Sequence, residues 1–214
     1  MIHLPSFFKS ALLILLAMFF SVTSQAASPQ QIVQDTTDRL LSDLATHKER
    51  YRNDPEAFYQ ALDTILGAVI DSEGIAKSIM TVKYSRNATD EQIRRFQENF
   101  KRSLLAFYGR ALLEYNNNGI RVLPSAMPQG GRASVKMEVA GANGVVYPVT
   151  YSLVEVGGQW RVRNVIINGI NVGKLFRDHF EDSMRQNAGN LDKTINSWAQ
   201  VVAKTAATSG KASQ

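Results

Sequence analysis

The apolar residues of this chain change their spacing twice. From residue 29 to about 115 they recur at steps of three and four, from 120 to 167 they alternate, and from 171 onward the helical step returns. A period near 3.6 and a period of two belong to different backbones, so the order is helices, then strands, then helices. Helices that precede one antiparallel sheet and lie against one face of it make an α+β fold.

The helix boundaries carry their own signals. Ser28-Pro29 offers an N-cap and a proline in the first turn, ahead of Ile32, Val33, Leu40, Leu41 and Leu44. Asp54-Pro55-Glu56 repeats that start before Phe58, Tyr59, Leu62, Ile65, Leu66, Val69 and Ile70. A short helix is predicted over Ser72 to Met80. Thr89-Asp90-Glu91-Gln92 is a capping-box pattern. It opens the longest helix, which runs to about Tyr115 and is closed by Asn116-Asn117-Asn118-Gly119. Ile93, Phe96, Phe100, Leu104, Phe107 and Ala111 form one stripe along it; Leu105, Tyr108, Leu112 and Tyr115 form a second.

The strand region, 119–168, reads as four short-linked strands. Ile120–Leu123 is closed by Pro124, and Val135, Met137 and Val139 alternate with Ser134, Lys136 and Glu138. Gly141-Ala142-Asn143-Gly144 and Gly157-Gly158 supply turns around Val145, Tyr147, Val149, Tyr151 and Leu153. Trp160 and Val162 follow, then Val165-Ile166-Ile167. Such a sheet is antiparallel and curved. Folded as a half-open cone over a long helix, it leaves a deep apolar cavity at its centre. Asn171 starts a helix bearing Leu175, Phe176, Phe180 and Met184; after Gly189-Asn190 a last helix carries Leu191, Ile195, Trp198 and Val202. Residues 27–204 therefore read as a single domain, with a disordered, frayed tail over 205–214.

Residues 1–26 read as an address. Lys9 precedes a 12-residue apolar run, Ala11 to Val22, too short for a bilayer core of about 30 Å. Ser24-Gln25-Ala26 places small residues for a cut after Ala26, the pattern of a secretory signal peptide. The alternative is an uncleaved anchor. Export suits a chain of 214 residues with no cysteine, which has no thiol to mispair.

Composition excludes several classes. With 44% apolar and 20% charged residues the chain is neither disordered nor low-complexity. The lack of cysteine excludes a disulfide scaffold, a thiolate zinc site and a cysteine nucleophile. A formal charge of +5 with a pI near 9.5 suits an anionic surface, but export argues against nucleic acid as a partner. His47 lies in a charged stretch and His179 beside Phe180; neither has metal-ligand spacing, and no P-loop, GxGxxG or GxSxG occurs. Asp71 and Glu73 sit where a helix start favours acids. No catalytic residue, metal or cofactor is expected.

Two readings of the apolar pattern stay open. Phe96, Phe100, Leu104, Val135, Met137, Val149, Tyr151 and Trp160 either fill a core or line a cavity. The second gains from an excess of apolar surface over what one contact layer needs. Phe58, Leu62, Leu66 and Val69 would then join the lining, and Tyr108, Tyr147 and Tyr151 would suit its rim, with an apolar body and a polar tip.

From Trp160 on, the chain resembles the MlaC (toluene-tolerance) family. The residues that carry the likeness are Trp160-Arg161-Val162-Arg163-Asn164-Val165, Asn168-Gly169-Ile170 and Leu175-Phe176-Arg177 with Phe180. The family reads roughly W-(K/R)-V-x-D-V, G-(V/I)-S, then Y/F-R-x-x-F. Phe96, Phe100, Leu104, Tyr108, Leu112 and Tyr115 upstream, the signal peptide and the element order are similar too. Asn164 stands where the family usually has Asp, and Asn171 where it often has Ser, so an ion pair fixed at 164 is in doubt. The resemblance implies a cystatin- or NTF-like cone with extra helices, acting as a soluble periplasmic carrier with bound phospholipid as cargo. It implies two partners: an outer-membrane MlaA-type lipoprotein with its porin, and an inner-membrane ABC transporter complex containing MlaD. The role implied is upkeep of outer-membrane lipid asymmetry. A periplasmic chaperone or adaptor for apolar protein segments is the alternative. An enzyme stands third, since the inward positions show no buried acid or histidine.

Overall fold

A computed structural model describes residues 27–115, 119–141 and 144–211. The side chains at 107, 108, 110, 111 and 205–211 lie outside that description, as does the expected signal peptide.

Among the described residues four helices come first, each opened by a side-chain cap. In α1 (Pro29–Asn53) the Ser28 hydroxyl accepts from the Gln31 N–H at 3.1 Å. Asp54 ends α1 and at once caps α2 (Pro55–Leu66), accepting from the Ala57 N–H at 3.0 Å. Asp71 caps α3 (Ser72–Ser85) through the Gly74 N–H at 3.0 Å. Inside α3 the helix is broken at Thr81, with φ 59° and ψ 163°. α4 (Asp90–Glu114) starts with the reciprocal bonds of a capping box between Thr89 and Gln92. Its 25 residues reach about 37 Å at 1.5 Å per residue.

The sheet has five antiparallel strands in chain order: β1 (Ile120–Val122), β2 (Arg132–Ala140), β3 (Val146–Val156), β4 (Gln159–Ile167) and β5 (Ile170–Asn171). The sequence reading of four strands is corrected by β5, which pairs Ile170 with Ile167 and Asn171 with Ile166. Asn168 and Gly169, with φ of 48° and 81°, make the two-residue turn that joins it to β4. Register between β3 and β4 shifts between Ser152 and Leu153: Ser152 opposes Asn164, while Leu153 opposes Val162. Arg163 is therefore the extra residue of a β-bulge, and such a residue is re-aimed relative to its neighbours.

Three helices follow: α5 (Val172–Gln186), α6 (Leu191–Asn196) and α7 (Trp198–Lys211). The single last helix expected is thus two, meeting at Ser197. α7 runs past residue 204 to Lys211, where alanines favour helix.

Burial is divided among three clusters. Phe96, Phe180 and Trp198 meet edge to face or tilted among Ile79, Met80, Met184 and Ile195, joining α3 through α7. Tyr51, Phe58 and Leu113 join α1, α2 and α4. Val33 packs on Val135 and Leu153 between α1 and the sheet. The space between these clusters is where the site lies.

Candidate functional site

An open-sided pocket of about 440 Å³ occupies that space. Its walls are Leu62, Leu66 and Ile70 from α2 and its exit, Ile75 and Ile79 from α3, and Phe100, Leu104, Leu105 and Leu112 from α4. Tyr151 of β3, Val162 and Val165 of β4, and Val172 and Phe176 of α5 complete it. The local reason is the width of each helix's apolar face. In α2, Phe58 and Ile65 turn into packed contacts, while Leu62 and Leu66, half-buried, face the void. In α4, Ile93 and Phe96 are buried in the core, and the stripe through Phe100 and Leu104 is left to the pocket.

Five of the residues named from sequence are brought together here: Leu62, Leu66, Phe100, Leu104 and Tyr151. The rest, Tyr108 apart, are placed elsewhere. Phe58 stacks on Tyr51 at 5.2 Å. Phe96 belongs to the aromatic core. Val135 sits under α1, and Trp160 packs against the same cluster. Met137 and Val149 are cross-strand partners, both buried, with the Thr37 hydroxyl of α1 3.9 Å from the Met137 sulfur. Val69 is tied into the backbone, its carbonyl accepting from the Val162 N–H at 2.7 Å. Tyr147 is 42% exposed near the end of the sheet. The Tyr108 side chain lies outside the described ones.

Sequence reasoning did not name Ile70, Ile75, Ile79, Leu105, Leu112, Val162, Val165, Val172 and Phe176 as lining residues. A step of four does carry Leu62 to Leu66 to Ile70, and Ile75 to Ile79. The stripe next to the most apolar one was the usable signal.

Polar groups border the pocket in two places. On the α2–α4 side, the Lys101 ammonium donates to Asp63 at 2.7 Å, and the Tyr59 hydroxyl donates to Glu98 at 2.7 Å. Arg102 lies over the Tyr59 ring, 4.2 Å from its centroid, and donates to Glu98 at 2.6 Å and Glu56 at 2.9 Å. Burial pushes the Glu98 carboxyl up, but the Tyr59 and Arg102 bonds outweigh it and hold it below the ordinary range. Burial and the bond to Glu98 raise the Tyr59 hydroxyl. Burial lowers Lys101, and its bonds to Asp63 and Tyr59 reverse that, leaving it raised.

On the β4 side, the bulge turns Arg163 onto the buried carboxylate of Asp71, to which its Nε and Nη2 both donate. A Cβ at Gly74 would run into that guanidinium and the Asp71 carboxylate, so a larger residue there would displace the pair. Asn164 accepts from the Gly173 N–H at 3.0 Å and donates to the Asn171 side chain at 3.1 Å. The ion pair left in doubt at 164 is thus a neutral amide pair at the start of α5, and Asn171 caps that helix through the Lys174 N–H. Inside, burial raises the Tyr151 hydroxyl. Among the described residues no His, Cys, Asp and Glu group could hold a metal, and no helix is long and apolar enough to cross a membrane.

An arrangement of this kind sequesters hydrocarbon. Its interior is leucine, isoleucine, valine and phenylalanine with Tyr151, and its charges lie at the border in bonded pairs. The family model for MlaC protein matches residues 34–200. The chain belongs to the MlaC family. It is 60% identical over 199 residues to the toluene tolerance protein ttg2D of Pseudomonas putida, covering 93% of each. It is 22% identical over 198 residues to the intermembrane phospholipid transport system binding protein MlaC of Haemophilus influenzae, covering 90% of this chain and 89% of that one. Its fold is similar to that of the phospholipid-binding protein from Ralstonia solanacearum, solved in complex with a phospholipid. The TM-score is 0.72 at 21% identity, over 85% of this chain and 98% of that one. As an MlaC-family chain, its α+β architecture is the expected one.

Proposed function

We propose that this chain is a periplasmic phospholipid carrier whose pocket takes the acyl chains. The observation that carries the reading is the apolar pocket between α2, α4 and the sheet, in a chain of the MlaC family. A diacyl lipid carries on the order of 30 methylenes, each costing roughly 0.8 kcal/mol to expose, so crossing water bare costs ~25 kcal/mol. A protein interior of leucine and phenylalanine removes that cost without outcompeting a bilayer, because both phases are apolar. Leu62, Leu66, Phe100, Leu104 and Tyr151 are the lining residues that sequence and structure share.

The pocket of about 440 Å³ is less than half of the ~1,000 Å³ at the upper end for ligand sites, the size two chains call for. Full loading therefore widens it. The wall suited to move is α2, fastened to α4 beside the pocket by long polar side chains. A carrier has no energy source, so direction comes from partners that favour its loaded or empty form. Those partners are an MlaA-type outer-membrane lipoprotein with its porin and an inner-membrane ABC transporter complex with MlaD. The process served is outer-membrane lipid asymmetry, and the carrier performs no chemistry on its cargo. The test is organic extraction of the purified protein followed by mass spectrometry. Stoichiometric phospholipid is expected. Protein free of lipid that instead captures apolar peptides would overturn the reading in favour of a chaperone.

A further inference from the structure

The apolar pocket has a polar neighbour. An alcove of about 340 Å³ opens on the surface of α4, lined by Arg94, Arg95, Gln97, Glu98 and Lys101. Gln97 and Lys101 line both spaces. The alcove thus joins three cations to one carboxylate, directly beside a hydrocarbon-lined void. A phospholipid has the same layout, an anionic phosphate one glycerol away from its chains.

We propose that the ammonium of Lys101 binds the phosphate ester of the lipid headgroup, making it the specificity-determining residue of the carrier. The inference rests on the carrier reading above. Lysine fits the position because its stem lies along apolar surface while its three donors reach the border. The other cation lining the pocket, Arg163, does not compete: two of its nitrogens are bound to Asp71, which also caps α3. Arg95 is engaged by Asp192 at 2.9 Å and Asn196 at 2.8 Å. Lys101 has one carboxylate at close range, Asp63 at 2.7 Å, with Glu98 at 3.5 Å and Tyr59 beside it, and both Lys101 and Asp63 reach solvent. A phosphate displaces Asp63 by taking over the same charge-assisted bond. The consequence is recognition of the phosphate common to all glycerophospholipids, whatever the group beyond it.

The experiment loads lipid-free protein from micelles holding equal amounts of phosphatidylglycerol and diacylglycerol with the same chains. Wild type is expected to prefer the phospholipid about tenfold, as one charge-assisted bond allows. Lys101→Met should abolish the preference, and Asp63→Asn, which frees the ammonium, should increase it. Opposite outcomes from breaking one ion pair at its two ends separate phosphate binding from a structural role. Equal uptake of both lipids by wild type, or an unchanged preference in Lys101→Met, overturns the inference and leaves the carrier standing. Uptake of neither lipid overturns the carrier reading itself. Inorganic phosphate alone, added to lipid-free protein, distinguishes the two sources of this anion. No saturable binding is expected without chains to anchor it, and saturable binding lost in Lys101→Met would reassign the site to free phosphate.

Discussion

The Tyr59 hydroxyl meets both oxygens of the Glu98 carboxylate at 2.7 Å, so a side chain of α2 is fastened to α4 at the border of the pocket. The ring beneath that hydroxyl carries Arg102 on its face, and Arg102 returns to Glu56 of α2. Such a strap closes a wall without packing it. Removing the hydroxyl leaves Glu98 bound to Arg102, so no carboxylate is orphaned. Tyr59→Phe should therefore cost only about 1 kcal/mol in denaturant unfolding. Its larger effect should be on exchange: lipid transfer between the protein and vesicles is expected to speed up several-fold. An unchanged transfer rate would show that α2 is not the moving wall.

The same strap predicts a response to acid. The Glu98 carboxyl is held below the ordinary range, and Glu56 is lowered by its bond to Arg102. A group with a depressed folded pKa contributes stability above its unfolded pKa and loses it as pH falls through the folded one. Transfer should thus be steady at neutral pH and accelerate only below the usual carboxylate range. Glu98→Gln should show the fast rate already at neutral pH and flatten the profile, measured as vesicle transfer rate against pH.

Charge placed in the pocket and charge placed in the core should part company. Leu104 is half-buried and faces the void, so a glutamate there can reach water. Met137 is 5% exposed beneath α1, with nowhere for a charge to go. Leu104→Glu should fold, losing about 1 kcal/mol, yet purify without phospholipid. Met137→Glu should lose about 4 kcal/mol or more by the penalty for an unpaired buried charge. Circular dichroism and lipid extraction on both variants check this. A folded, lipid-loaded Leu104→Glu would mean the chains sit elsewhere.

That contrast marks what the sequence could and could not convey. Period and caps located the helices, since Ser28, Asp54, Thr89 and Asn171 each bond as their position in the chain suggests. An apolar residue at an inward position, however, reads the same whether it meets another side chain or an empty pocket. Met137 and Tyr151 alternate on the same face of the sheet; α1 lies near one and the void lies against the other. Strand alternation also hides the bulge at Arg163, because the shift is a property of the pairing and not of one strand. The fifth strand was within reach: Asn168-Gly169 between isoleucines is the composition of a tight hairpin.

Thr81 sits in a backbone region that is close to glycine-only, at φ 59° and ψ 163°, and breaks α3 just after Ile79 and Met80, which are fully buried. A β-branched residue there carries strain on the order of 1–3 kcal/mol that the rest of the fold must offset. Glycine adopts the same angles without a Cβ clash, though it adds freedom to the unfolded chain. The first effect is the larger, so Thr81→Gly should raise unfolding stability by about 1 kcal/mol, read from a shifted denaturation midpoint at constant slope. α3 supplies Ile75 and Ile79 to the pocket wall, and both precede the break. Lipid content should accordingly stay unchanged in Thr81→Gly. A loss of stability would show that the side chain of Thr81, and not merely its backbone, holds the two halves of α3 at their angle.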